Sequence, residues 1–216
     1  MENESEDMRK LANPILISFT LILAACGSTA VAPAIEGSVD TATPADQFFV
    51  NLHALCGQTF GGRVLTDLPV VADNDAFAGK QLLMHVRECT DSEIRIPFHV
   101  GDDRSRTWVV TRTGNGLRLK HDHRHADGSP DATTLYGGDS QAPGTATRQA
   151  FPVDAESVTM FERNGLSASV NNTWALQLEP GQSMVYELSR PNGRLFQVEF
   201  DLTQPLPTPL PPWGAQ

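Results

Sequence analysis

Short runs that alternate between polar and apolar residues, separated by turn residues, fill the chain from Thr59 onward. Successive side chains of a β-strand point to opposite sides of a sheet, so such a run predicts a strand with one buried face. The clearest run is residues 93–100, which we expect to pair with residues 81–89. Its apolar face holds Ile94, Ile96, Phe98 and Val100, and its other face holds Glu93, Arg95 and His99.

The residues between these runs have the composition of β-hairpin turns. Gly114-Asn115-Gly116 separates residues 107–113 from 117–125, and Pro191-Asn192-Gly193 separates residues 184–190 from 194–202. Further runs, which bring the total to about nine or ten strands, lie near Val64, Thr133, Ala146, Val158 and Trp174. A lone open sheet of that size would expose its edges. The pattern therefore predicts a mainly β domain, an antiparallel β-barrel or alternatively a β-sandwich.

One short helix is predicted at the start of this domain. Thr43 is a favourable N-cap residue, Pro44 suits the first helical position and Asp46 suits the third. The apolar residues that follow recur at helical spacing and stop before Gly57. They are Phe48, Phe49, Leu52, Leu55 and Cys56.

The N-terminal segment has the three-part pattern of an export signal. Arg9-Lys10 supplies positive charge, residues 11–25 are largely apolar, and two alanines precede Cys26. The apolar part is shorter than the roughly 20 residues that span a bilayer as a helix. We predict that the first 25 residues are a signal peptide, with Met1 or Met8 as its start. The alternative is an apolar segment that packs on a core.

Leu23-Ala24-Ala25-Cys26 resembles the lipobox of bacterial lipoproteins, in which leucine and two small residues precede the modified cysteine. The resemblance implies that Cys26 becomes the N-terminus and carries acyl chains such as palmitate, and two or more chains give stable anchoring. In that family an aspartate after the cysteine favours the inner membrane, whereas Gly27 stands here. The resemblance thus implies a protein anchored in the outer membrane and facing the periplasm or the cell exterior.

Cys56 and Cys89 remain once Cys26 is assigned to the lipid. An even number of cysteines in an oxidising compartment predicts one intrachain disulfide between them. Two buried free thiols are the alternative.

Composition divides the mature chain into three parts. Residues 26–43 have the small-residue composition of a flexible tether, residues 44–203 form the β domain, and the proline-rich residues 204–216 must be largely extended. We expect this tail to strap the domain, through Trp213 and two leucines, rather than to recruit a partner. Removal of the first 25 residues, which hold four acids and two bases, leaves a net charge near −8. Nucleic acid is therefore not an expected partner.

The stretch Gly57-Gln58-Thr59-Phe60-Gly61-Gly62 follows the predicted helix and precedes the hairpins. This order resembles the lipocalin-like (calycin) barrels, in which a glycine and an aromatic residue open the first strand. The resemblance implies an antiparallel barrel and assigns no ligand-binding residue. Residues 104–138 also resemble exported proteobacterial proteins of uncharacterised function, and that likeness implies no chemistry.

Three histidines are concentrated in one predicted strand, at His121, His123 and His125. Their spacing of two places them on one face, the face of Leu117 and Leu119. Neutral imidazoles so spaced can converge on Zn or Cu, with Asp127 or Asp131 as an oxygen ligand. The interpretation we favour is a hydrogen-bonded polar end of the β-structure. A metal site and acid-base catalysis are the alternatives.

The remaining charged residues and motifs leave the function open. The arginines between Arg95 and Arg124 alternate with acids, which favours ion pairing on a solvated face over an anion site. The common hydrolase, metalloprotease and nucleotide-binding motifs do not occur in the sequence. We therefore expect a non-enzymatic module that binds a small ligand or an envelope protein. The alternative is a metal-binding protein or metal-dependent enzyme that uses the three histidines.

Overall fold

The computed structural model describes residues 42–70, 76–141 and 143–215. The predicted signal peptide, Cys26 and nearly all of the predicted tether lie outside the described residues. Within them the chain forms two α-helices, eleven strands and one 3-10 helix, and none of its helices is both long and apolar enough to cross a membrane. The helices are α1 (Pro44–His53) and α2 (Ala155–Arg163), with the 3-10 helix at Ser167–Asn171. The strands are β1 (Thr59–Leu68), β2 (Leu82–His85), β3 (Glu88–Cys89), β4 (Glu93–Val100), β5 (Asp103–Thr113), β6 (Gly116–His123), β7 (Tyr136–Asp139), β8 (Arg148–Pro152), β9 (Thr173–Glu179), β10 (Ser183–Ser189) and β11 (Leu195–Leu206).

The strands form one antiparallel sheet that curls into a nearly closed barrel, which confirms the predicted fold class. Their order is β7-β6-β5-β4-β2-β1-β11-β10-β9-β8, and β3 pairs with β4. The two end strands meet where Gly138 lies against Pro152, so closely that a Cβ atom at Gly138 would fall 1.8 Å from the Pro152 carbonyl oxygen. The amide of Asp154 donates to the Gly137 carbonyl at 2.9 Å. Glycine at this seam therefore lets the barrel approach closure.

The predicted apolar face of β4 and the predicted hairpins are confirmed, but β4 is more than half buried, because Pro97 and His99 on its other face are buried as well. The four apolar residues of β4 are fully or almost fully buried, and β4 pairs with both β2 and β3. Gly114-Asn115-Gly116 joins β5 to β6, and Pro191-Asn192-Gly193 joins β10 to β11. Alternation places every second residue of these strands in the barrel interior. The core of the domain is this interior.

Helix α1 forms where it was predicted and covers one end of the barrel. The Thr43 hydroxyl accepts from the Asp46 amide, and the Asp46 carboxylate accepts from the Thr43 amide. Arg112, near the end of β5, pairs with Asp46 and lies 4.2 Å above the Phe49 ring. We call this the closed end. Its buried helix residues are Ala45, Phe48, Phe49 and Leu52.

Two predicted strands are wrong. The run near Val158 is helix α2, because Asp154 caps it by accepting from the Ser157 amide at 2.8 Å. Its buried residues Ser157 and Phe161 are four apart, which is helical spacing. The run near Thr133 is a loop. The Thr133 amide donates to the Asp131 side chain at 2.7 Å instead of to a neighbouring strand.

The disulfide prediction is confirmed. Cys56 follows α1 and bonds Cys89 on β3, with Cα atoms 6.2 Å apart. The bond ties the segment that follows α1 to strand β3 of the sheet.

The proline-rich tail lies against the outer surface of the barrel, as a strap would. β11 continues past the predicted boundary, so that Leu206 pairs with Thr59. Farther on, the Trp213 amide donates to the Arg104 carbonyl at 3.0 Å, and the Arg104 guanidinium donates to the Pro211 carbonyl at 2.6 Å. The predicted docking is wrong for Leu210, which is 69% exposed. Backbone hydrogen bonds and the half-buried Trp213 hold the tail instead.

Candidate functional site

The end of the barrel opposite α1 contains two adjoining cavities, and we call it the open end. The first, of about 180 Å³, is the aromatic cavity, and the second, of about 220 Å³, is the side cavity. Four residues line both: His123, Tyr136, Tyr186 and Leu188. The aromatic cavity is further lined by Phe77, Phe98, Arg106, Trp108, His121, Arg194 and Phe196. The side cavity is further lined by Thr133, Phe161, Leu166, Ser169, Asn172, Trp174 and Arg190.

Strand register places these side chains together. Trp108 on β5 pairs with His121 on β6, and Arg106 pairs with His123. The residues of both pairs occupy the positions of β5 and β6 whose side chains point into the barrel. On the opposite wall, Tyr186 of β10 has the same inward parity as the fully buried Met184. The predicted common face of His121 and His123 therefore points into the barrel.

His121 lies at the floor of the aromatic cavity with both ring nitrogens hydrogen-bonded. Its Nδ1 lies 3.2 Å from the Tyr136 carbonyl, and its Nε2 lies 3.0 Å from the Tyr186 hydroxyl. A carbonyl can only accept, so Nδ1 carries the proton and Nε2 accepts from the tyrosine. Burial lowers the pKa of His121 to about 3. The ring is therefore neutral at ordinary pH.

His123 is nearer the opening and bonds the second tyrosine. Its Nε2 lies 3.1 Å from the Tyr136 hydroxyl. Burial lowers the pKa of His123 and raises the pKa of Tyr136 to about 12. Either the hydroxyl or the His123 N–H donates in this bond, according to the tautomer of the ring. Each of the two cavity tyrosines thus bonds one histidine of β6 through its hydroxyl.

Flat rings form the walls of the aromatic cavity. Trp108 stacks on Tyr186 with centroids 4.4 Å apart and planes at 12°. His121 stacks on Tyr136 at 4.7 Å and 13°. Phe98 continues the first stack on the far side of Trp108, at 5.0 Å. Walls built of rings in this way favour small, flat apolar molecules, which pack against the aromatic surface that the rings leave open.

Three arginines surround the cavities. Arg106 donates to Asp103 at 2.6 Å, and Arg194 pairs with Asp67 and donates to the Leu68 carbonyl at 2.9 Å. The third, Arg190, bonds neutral groups. The predicted ion pairing of Arg106 is confirmed, but its predicted place on a solvated face is wrong, because β5 turns this arginine toward the aromatic cavity. Ion pairing holds for other arginines of the set, such as Arg118 with Asp139.

The third histidine and the candidate oxygen ligands lie outside the site. β6 ends at His123, so His125 leaves the strand and its side chain is 57% exposed, with the Asp131 carboxylate 3.8 Å away. Asp127 accepts from Ser129 in the following turn. In the described part of the chain no group of three such side chains could hold a metal ion. The structure brings His121 and His123 together and separates them from His125 and Asp127.

Sequence reasoning missed most of this site. Tyr136, Tyr186 and Arg190 were not singled out, because each stands alone in the sequence. The available signal was strand parity, which places Tyr186 two residues from the buried Met184 and gives it the same face. Nothing in the sequence indicated that these side chains meet across the barrel.

A larger cleft of about 430 Å³ lies outside the barrel beside the tail. Its buried carboxylate, Asp122, accepts from Arg95 at 2.7 Å and from Arg124 at 2.8 Å. Thr134 donates to the same carboxylate at 3.2 Å. Because these charged groups pair with one another, the cleft has fewer free polar groups for a ligand than the open end has.

Comparison of this chain with protein-family models, with curated proteins and with solved structures finds no match. The functional conclusion below is therefore drawn from the geometry of the open end.

Proposed function

We propose that this protein is an outer-membrane lipoprotein, anchored through Cys26 and facing the periplasm or the cell exterior, whose barrel is a non-enzymatic module that binds a small ligand at the open end. The observation that carries the proposal is the pair of adjoining cavities, with aromatic walls and a few convergent polar groups. That combination is typical of small-molecule sites.

The polar groups of the open end favour binding over catalysis. His121 has both nitrogens engaged and is too weak a base to take a proton near neutral pH. Among the described residues that line the two cavities there is no carboxylate and no cysteine. The hydroxyl of Tyr186 bonds the imidazole of His121, and burial raises the pKa of this tyrosine. These groups orient a ligand better than they activate one.

The anchor is supported by the lipobox pattern at Leu23-Ala24-Ala25-Cys26 and by the disulfide. Disulfides persist in exported proteins and are rare in reducing compartments. The metal-dependent alternative has less support, because the three histidines do not converge.

Ligand binding is tested with the full chain and 1-anilinonaphthalene-8-sulfonate, a planar apolar probe with an anionic group. We expect saturable fluorescence enhancement with one probe per chain. Leu188→Trp should abolish it by filling the space that both cavities share, and Leu210→Trp, on the exposed tail, should not. Circular dichroism checks that the variants are folded, since this probe also binds molten globules. Equal binding to the wild type and Leu188→Trp contradicts the proposal.

The anchor is tested by expressing the full chain in a Gram-negative host with labelled palmitate. The wild type should carry label and sediment with outer membranes. Cys26→Ala should carry none and retain its signal peptide, and the neighbouring Ser28→Ala should behave as the wild type. Labelled Cys26→Ala protein would disprove lipidation at this residue.

A further inference from the structure

Arg190 differs from the other cavity arginines in having no acidic partner among the described residues. Its Nε donates to the Asn172 side chain at 2.6 Å, and its Nη2 lies 3.4 Å from the Ser169 hydroxyl. Both partners are neutral. Burial, and next the positive charge of Arg194, lower the pKa of Arg190. Its charge is therefore partly removed from water, and the described part of the chain supplies no compensating anion.

The contrast with its neighbours is informative. Arg106 and Arg194 line the aromatic cavity, and each has a carboxylate within ion-pair distance. Arg190 lines the side cavity, where the described residues supply amide, hydroxyl and aromatic groups. An unpaired, partly desolvated charge is costly unless a binding partner completes it.

The guanidinium of Arg190 is also held in place. Asn172 and Ser169 fix its Nε and Nη2, while Nη1 makes no hydrogen bond within the described part of the chain. Asn172 is 5% exposed, so this support is rigid. A fixed guanidinium with free donors matches the planar geometry of a carboxylate. The imidazole of His123, which lines the same cavity, is a second polar group beside the guanidinium.

We propose that the open end selects small planar apolar carboxylates, with Arg190 binding the carboxylate and the ring stack of the aromatic cavity binding the apolar body. This rests on the proposed function and adds the chemical class of its ligand. Tyr136 and Tyr186 line both cavities, so the two adjoin, and the proposed ligand spans them.

The test compares two probes that differ in charge and hardly in shape, 2-naphthoate and 2-naphthamide. Calorimetry measures the Kd of each for the full chain. Because a charge-assisted bond adds to the shared apolar contacts, we expect the carboxylate to bind about 10-fold more tightly or better. Arg190→Gln should reduce the ratio of the two Kd values to about 1, because it weakens the binding of the carboxylate probe and not that of the amide probe. Arg163→Gln, an exposed change on α2, should leave the ratio intact.

The outcomes separate this inference from the proposed function. If both probes bind the wild type equally, or if Arg190→Gln keeps the preference, the inference is wrong and the binding function stands. If neither probe binds, both are wrong. Loss of stability in Arg190→Gln without a changed ratio would show that Arg190 only holds the 3-10 helix, and that too overturns the inference. The wild-type ratio decides the anion preference even where the variant does not fold.

Discussion

The two ends of the barrel are built from different chemistry although the same strands run through both. At the closed end, α1 covers the barrel with Phe48, Phe49 and Leu52, which are at most 2% exposed. The charges there, Asp46 and Arg112, pair with each other. At the open end the inward positions carry imidazoles, phenols and a guanidinium, with hydrogen bonds between the strands in place of uniform apolar contact.

This difference between the two ends indicates that the closed end contributes more to the stability of the fold than the open end does. Apolar burial at the closed end stabilises the folded state and does not depend on a hydrogen-bond partner. Buried polar groups contribute only while every partner is present, and an unpaired one costs free energy. The open end therefore stabilises the fold less than an apolar plug would, and a bound ligand would restore part of the difference by mass action. A site retained at such a cost is expected to be functional.

Among the substitutions that test the comparison of the two ends, Phe48→Ala is expected to have the largest effect. Phe48 is fully buried beneath α1, and removal of such a ring should lower the free energy of unfolding by about 3 to 5 kcal/mol. Urea denaturation followed by circular dichroism measures the loss, with the exposed Leu210→Ala as a control near zero. The folded fraction should bind 2-naphthoate with unchanged Kd. A Kd that rises with this substitution would mean that the two ends are not independent.

The two ends also differ in how well the sequence predicted them. The closed end depends on residues near one another in the chain, such as Thr43, Asp46 and Phe49, so its cap and apolar spacing could be recognised directly. The open end depends on strand register: His121 and Tyr186 are 65 residues apart, and only barrel curvature brings them to 3.0 Å. The predicted strand at Val158 was wrong for a local reason, because the cap at Asp154 was not recognised.

Tyr186→Phe tests the polar side of the comparison. The substitution keeps the ring that stacks on Trp108 and removes the hydroxyl that donates to His121. The buried acceptor then has no partner, which should cost about 1 to 3 kcal/mol in the free energy of unfolding. Tyr136→Phe, whose hydroxyl bonds the less buried His123, is the matched control and should cost less. Equal stability of Tyr186→Phe and the wild type would show that the floor of the cavity is not a satisfied polar network.

Acid should destabilise the fold through its buried histidines, two of which lie at the open end, and leave the contribution of the closed end unchanged. Burial lowers the pKa of His121 to about 3 and also lowers the pKa of His123, and on the outer face it lowers the pKa of His99 to about 4 and that of His85. An unfolded histidine titrates near pH 6.5, so below that pH the unfolded state binds more protons than the folded state and stability falls as pH falls. Each such histidine contributes a slope of up to about 1.4 kcal/mol per pH unit.

The slope of unfolding free energy against pH between 6.5 and 5 separates the two ends, because carboxylates titrate mainly below that window. His121→Leu should make the slope shallower by about 1 kcal/mol per pH unit, since it removes one histidine that protonates only on unfolding. Phe48→Ala should lower stability equally at every pH in the window and leave the slope parallel to that of the wild type. Since no proton is taken up at Phe48, a changed slope in that variant would mean that loosening the closed end lets water reach His121.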